Sequence, residues 1–121
     1  MDFKNAKELL DFCQKLNCPI SDIMKQRECT LAETSLENIY AKMDHALSIM
    51  RESASSPIQE PKKSIGGLIG GEARLADLHR ARGAAICGSV LSRAITYSMA
   101  VLETNTSMGL IVAAPPPGSP Q

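Results

Sequence analysis

The chain has no tryptophan, and aromatic residues make up only 3% of its 121 residues. Any core must therefore come from Leu, Ile, Met, Val and Ala, without bulky aromatic anchors. Formal net charge is zero, from 13 basic and 13 acidic residues. That leaves no electrostatic reason to expect nucleic acid or an anionic membrane as partner. No uncharged apolar run reaches the roughly 18–20 residues of a spanning helix. The N-terminus, "MDFKNAKELL", is charged and lacks an apolar h-region, so no secretory signal is expected and the cytoplasm is the default location. The four cysteines, at 13, 18, 29 and 87, form no C-x-x-C pair and no zinc or ferredoxin spacing. They read as reduced thiols, with Cys13 and Cys29 at apolar helix positions. No metal ligand is assigned among them.

The apolar fraction is 44% and the charged fraction 21%, the composition of a globular chain and not a disordered one. At this length it makes one domain, not two. Residues 5–16 read as an amphipathic helix, with Asn5 as N-cap and Glu8 at the capping-box spacing. Asn17, Cys18 and Pro19 break it, and Ser21 is placed to cap a second helix over about 22–31. A third begins after Thr34 or Ser35, where Leu36, Ile39, Tyr40, Met43, Leu47 and Met50 recur every three or four residues. Its methionines are read as core filling, and His45, beside Asp44, as a solvated histidine.

Residues 53–63, "SASSPIQEPKK", have the composition of a linker. The chain then divides into an N-terminal helical segment, 1–52, that linker, and a glycine-turn and buried-helix segment, 64–121. In "SIGGLIGGEARL" two glycine pairs bracket Leu68 and Ile69, and a helix starts near Glu72. Such a turn can hold an anion on free N–H groups, and a plain tight turn is at least as common. The spacing is not that of a P-loop. His79 reads as an ordinary helix-end histidine, and Lys63 as a solvated lysine. Residues 87–106 form a last helix that is apolar or small nearly all round, with Arg93 and Glu103 as its charged residues. A helix of that kind is buried between neighbours, and a chain of this length has difficulty surrounding it. The segment "GLIVAA" is compatible with a short strand or a turn wall. The fold class is all-α, and the rest of the core reads as missing.

Three segments in order carry a resemblance. Lys63, Ser64, Gly67, Leu68, Gly70, Gly71, Glu72 and Ala73 match K-S-x-x-G-L-x-G-G-[DE]-A. Glu103, Asn105, Met108 and Gly109 match E-x-N-x-x-M-G, and Ile111, Ala113, Pro115, Gly118 and Ser119 match I-x-A-x-P-T-x-G-S-x-G. With the helical start "ELLDFCQKLNCPISDIMKQRE", the chain resembles the α subunit or domain of iron–sulfur-dependent L-serine dehydratases over essentially its whole length. It departs at Pro116, where the family has threonine, a change that removes a hydroxyl and a backbone N–H.

The resemblance implies a lyase of amino-acid degradation and gluconeogenesis that converts L-serine to pyruvate and ammonia. It implies a 4Fe–4S cluster acting as Lewis acid on the serine hydroxyl, with the cluster-ligating cysteines further along the family's sequence than this chain extends. It also implies a β subunit or domain and further α-chain sequence as partners, so that this chain reads as the helical N-terminal part of a larger α-helical catalytic domain, less than half of an α chain and inactive alone. Ser64, Gly67, Gly70, Gly71, Asn105, Pro115, Gly118 and Ser119 are the expected walls of the substrate site, through turns whose N–H groups suit a carboxylate. No residue is assigned a catalytic role. The alternative is a non-catalytic helical interaction module.

Overall fold

The computed structural model describes residues 2–113, and among them the regular structure is entirely helical. Five helices follow one another: α1 (Ala6–Leu16), α2 (Ile20–Leu31), α3 (Leu36–Gln59), α4 (Glu72–Ala81) and α5 (Gly88–Thr106). The chain forms two compact units that meet between His45 and Ala46, within α3. The "GLIVAA" segment carries no strand over its described residues.

In the first unit the expected cap is present. The Asn5 side chain accepts a hydrogen bond from the Glu8 N–H, and the Glu8 carboxylate accepts from Lys4 N–H and Asn5 Nδ2. Asn17 ends α1 in the left-handed region at φ 48°, a conformation asparagine tolerates better than most residues. The second helix starts earlier than the sequence suggests. Pro19, not Ser21, is its N-cap, because proline's fixed φ suits a helix start and its carbonyl accepts from Asp22 N–H and Ile23 N–H. α1 packs on α2, and Ile23 is the buried hydrophobic residue of this unit. Lys25 donates to the Tyr40 hydroxyl at 2.9 Å and pairs with Asp22 at 2.7 Å.

In the second unit the stretch 53–63 is not a linker. α3 continues through Gln59 with Pro57 inside it. Ser53 and Ser55 donate to the carbonyls of Met50 and Arg51, which lets serine-rich sequence stay helical. Pro57 has no N–H for the carbonyl of Ser53 four residues back, and Thr104 Oγ1 of α5 supplies the missing donor at 2.9 Å. Only residues 60–63 connect α3 to the glycine turn without helix.

α4 packs on α5, and the buried face of α5 is made of small and polar residues: Ser92, Thr96, Ala100, Glu103 and Thr104. The hydroxyls of Ser92 and Thr96 bond back to carbonyls four residues earlier in the helix, and that of Thr104 donates to Ser53, so their burial leaves none of them unpaired. The large apolar side chains of α5 point elsewhere. Val90 is 83% exposed, and Leu91, Ile95 and Leu102 are also exposed. The methionines Met43 and Met50 of α3, read as core filling, are exposed too. Among the described residues the buried hydrophobic side chains are Ile23, Ala73 and Ala100, a very small core for so apolar a chain.

Candidate substrate loop and its carboxylate clamp

The loop that precedes α4 is closed by its own first residue. Ser64 N–H donates to the Ile69 carbonyl at 2.7 Å, and Ser64 Oγ accepts from Ile69 N–H at 3.2 Å. Gly67 N–H donates back to the Ser64 carbonyl, with Gly67 at φ 72°. Ser64 is thus a structural clip within the loop. Between its two ends Ile65 and Leu68 project into solvent.

The second glycine pair has two different reasons to be glycine. A β-carbon on Gly70 would lie 2.7 Å from the Lys62 carbonyl oxygen and 2.9 Å from Lys63 Cα, so the backbone passes too closely for any side chain. Gly71, at φ 94°, caps α4 in a conformation that L side chains rarely adopt.

Two carboxylates occupy the N–H groups at this helix start. Glu72 Oε2 accepts from Gly70 N–H at 2.7 Å. Glu103, thirty residues on in α5, accepts from Ala73 N–H with Oε1 at 2.8 Å. An acid is favoured here by the unpaired amides and the positive end of the helix dipole. Glu103 is 0% exposed, and its other oxygen, Oε2, is buried without a hydrogen-bond partner among the described residues. An unsatisfied buried acceptor costs about 1–3 kcal/mol, and more when charged.

This contact joins the first two matching segments. Ser64, Gly67, Gly70 and Gly71 share one loop, and Glu103 ties the helix that follows it to the end of α5. Asn105, two residues beyond Glu103, is exposed. Met108 then turns left-handed at φ 64°, and Gly109 N–H donates to the Thr104 carbonyl at 2.7 Å. A β-carbon on Gly109 would meet Thr104 Cγ2 at 2.7 Å, which is why glycine follows Met108. Pro115, Gly118 and Ser119 lie outside the described residues. An open cleft of about 240 Å³ is bordered by Ile49, Glu52, Lys62, Thr104 and Gly109. The sequence pattern assigns Glu103 no site role. The available signal was an acid on a helix apolar nearly all round.

The cysteines do not make a cluster site. All four are free thiols: Cys13, Cys18 and Cys29 are half-buried in the first unit, and Cys87 is exposed in the second. Burial pushes the Cys18 thiol up, with Cys13 and Asp22 adding to the shift, which works against the thiolate a metal needs. No three His, Cys, Asp or Glu side chains among the described residues come together as metal ligands. The residues present therefore do not fit an iron–sulfur cluster. Nor is any helix among the described residues long and apolar enough to cross a membrane.

A glycine loop clamped to a neighbouring helix by a buried carboxylate, with many large apolar side chains exposed, defines an all-α protein over the described residues. The chain belongs to the serine dehydratase alpha chain family, whose profile matches residues 15–120. It is 35% identical over 117 residues to the probable L-serine dehydratase alpha chain of Bacillus subtilis (strain 168), covering 97% of this chain and 39% of that one. It is 31% identical over 114 residues to the L-serine dehydratase alpha chain of Peptoniphilus asaccharolyticus, covering 94% of this chain and 39% of the relative. The chain thus spans about two-fifths of the length of these relatives. No solved structure matches it significantly.

Proposed function

We propose that this chain is the N-terminal portion of the α chain of a cytoplasmic L-serine dehydratase, a lyase that releases pyruvate and ammonia from L-serine. It contributes the 64–71 loop, Asn105 and the 113–119 segment as walls of the substrate site. Its role is to bind and orient the amino acid. The 4Fe–4S cluster, which supplies Lewis-acid chemistry at the serine hydroxyl, is held by polypeptide outside this chain, and a β subunit or domain completes the assembly.

One observation carries the reading: the glycine segment and the E-x-N-x-x-M-G segment, far apart in sequence, are joined by the bond from Ala73 N–H to Glu103. That bond holds the loop against α5 in one geometry. The remaining N–H groups of the first turn of α4 are aligned for a carboxylate of the substrate.

The test replaces the matched segment of the Bacillus subtilis α chain by this chain. Pyruvate release from L-serine is then measured under anaerobic conditions with the partner chain present. Activity in the chimera is expected, with none from this chain alone. A folded chimera without activity would sink the assignment.

The exposed apolar face of α5 favours a second reading, a non-catalytic helical module that docks a partner. An inactive, folded chimera that still co-purifies with the partner chain is the outcome that selects it.

A further inference from the structure

We propose that Glu103 Oε2 is the acceptor for the α-ammonium group of a bound amino acid, whose carboxylate takes the unpaired amides at the start of α4. The inference rests on the serine-dehydratase reading and names the residue that would recognise the amino group.

Two independent features meet at this point. The first turn of α4 presents Gly71, Glu72 and Arg74 N–H groups that have no acceptor among the described residues. Aimed into the same turn is a carboxylate with no solvent exposure, one oxygen fixed on Ala73 N–H and the other unpaired. Capping the helix needs only Oε1. Enclosing a charged Oε2 without a partner adds a desolvation cost that the cap does not require, so the second oxygen calls for a donor. An α-amino acid carries the complement of both features on one carbon: a carboxylate for the amides and an ammonium for Oε2. The charge-assisted bond from ammonium to carboxylate is the stronger of the two contacts.

Oε2 is enclosed, so the donor arrives when its surroundings part. The 64–71 loop is suited to that movement. Its Ser64, Gly67 and Ile69 N–H groups bond only within the loop, Gly70 N–H bonds to the Glu72 carboxylate, and its apolar residues Ile65 and Leu68 bury little. An open cleft bordered by Lys62 and Thr104 reaches the residue next to Glu103 in α5 and the residue two before Ser64, where the loop begins.

The test compares L-serine with 3-hydroxypropanoate, which is serine without its amino group. Each is titrated into the ¹⁵N-labelled 121-residue chain while the amide signals of Gly71, Glu72, Ala73 and Arg74 are followed. L-Serine is expected to shift these signals with saturation, and 3-hydroxypropanoate to bind at least tenfold more weakly. In Glu103→Gln the amide oxygen still accepts from Ala73 N–H, so the hydrogen-exchange protection of Ala73 is expected to persist. L-Serine binding should fall at least tenfold in that variant, to the level of the analogue. A purely structural Glu103 would lose neither affinity nor discrimination. Equal binding of the two ligands to the wild-type chain overturns the proposal, as does an absence of serine-dependent shifts at these amides, or unchanged serine affinity in Glu103→Gln. The ligand pair decides the matter even if the variant fails to fold. An inactive chimera, by contrast, counts against the dehydratase reading and leaves these titrations to be judged on their own result.

Discussion

Thr104 Oγ1 donates to the carbonyl oxygen of Ser53 at 2.9 Å, the carbonyl that Pro57 leaves without its helical partner. A hydroxyl on α5 thereby repairs a proline defect in α3. The same hydroxyl lies 3.1 Å from the Ala100 carbonyl, but it has one proton, and the Ser53 carbonyl is the nearer acceptor.

Removing that hydroxyl leaves the buried Ser53 carbonyl unpaired. Thr104→Val is expected to destabilise the chain by about 1–3 kcal/mol. Pro57→Ala restores a backbone N–H in α3, so in its presence Thr104→Val should cost clearly less. Urea unfolding of the two single variants and the double variant measures the coupling. Additive effects would show that the two residues are not paired in this way.

Gly70 and Gly66 differ sharply in surroundings. A β-carbon on Gly70 runs into Lys62 and Lys63, whereas one on Gly66 meets nothing within 4 Å. Gly70→Ala is expected to lower stability by about 1–3 kcal/mol through forced backbone movement. Gly66→Ala should be nearly neutral. Thermal melts compare them directly, and equal melting temperatures would contradict the close approach.

Lys25 gives a pH dependence. The hydrogen bond to Asp22, and then that to the Tyr40 hydroxyl, hold its ammonium well above the ordinary lysine value. A raised value in the folded state means that the folded state binds the proton more tightly. The stabilisation is therefore complete below the ordinary lysine value of about 10.4 and is lost as pH rises through the folded value. The stability gap between wild type and Asp22→Asn should stay level from neutral pH to about pH 10 and then narrow. Urea midpoints across that range test it, and a gap that widens with pH would be the wrong sign.

The uncovered face of α5 predicts behaviour in solution. Leu91, Ile95 and Leu102 are exposed large hydrophobics. The double variant Leu91→Lys with Ile95→Lys is expected to bind less of a hydrophobic dye. Each substitution should alter stability by no more than about 0.5 kcal/mol, as for any surface site. A loss of several kcal/mol would mean that this face is already packed within the chain.

Helix positions were legible because capping and periodicity are local. Asn5 with Glu8, the break after Leu16 and the start of α4 at Glu72 follow from residues within one turn of one another. The linker reading of 53–63 failed for a non-local reason. Serine and proline do disfavour helix, but the donor that offsets Pro57 is on Thr104, 51 residues from the Ser53 carbonyl it bonds. The candidate loop was legible as glycine-rich. That Gly70 is a close-approach glycine, Gly71 a left-handed cap and Ser64 a clip was not, since spacing does not say which atoms a turn will meet.

By itself the sequence determined the all-helical class, the starts of α1, α3 and α4, and the membership of the family, because these depend on neighbouring residues and on ordered motifs. The tertiary structure alone decided which side of α5 is inside. Hydroxyls and small side chains face α4 and α3 because they can satisfy their own hydrogen bonds there, while the large apolar residues remain outside. It also decided that Glu103 is enclosed at the start of α4, where a helix end thirty residues away offers the N–H group that a buried carboxylate requires.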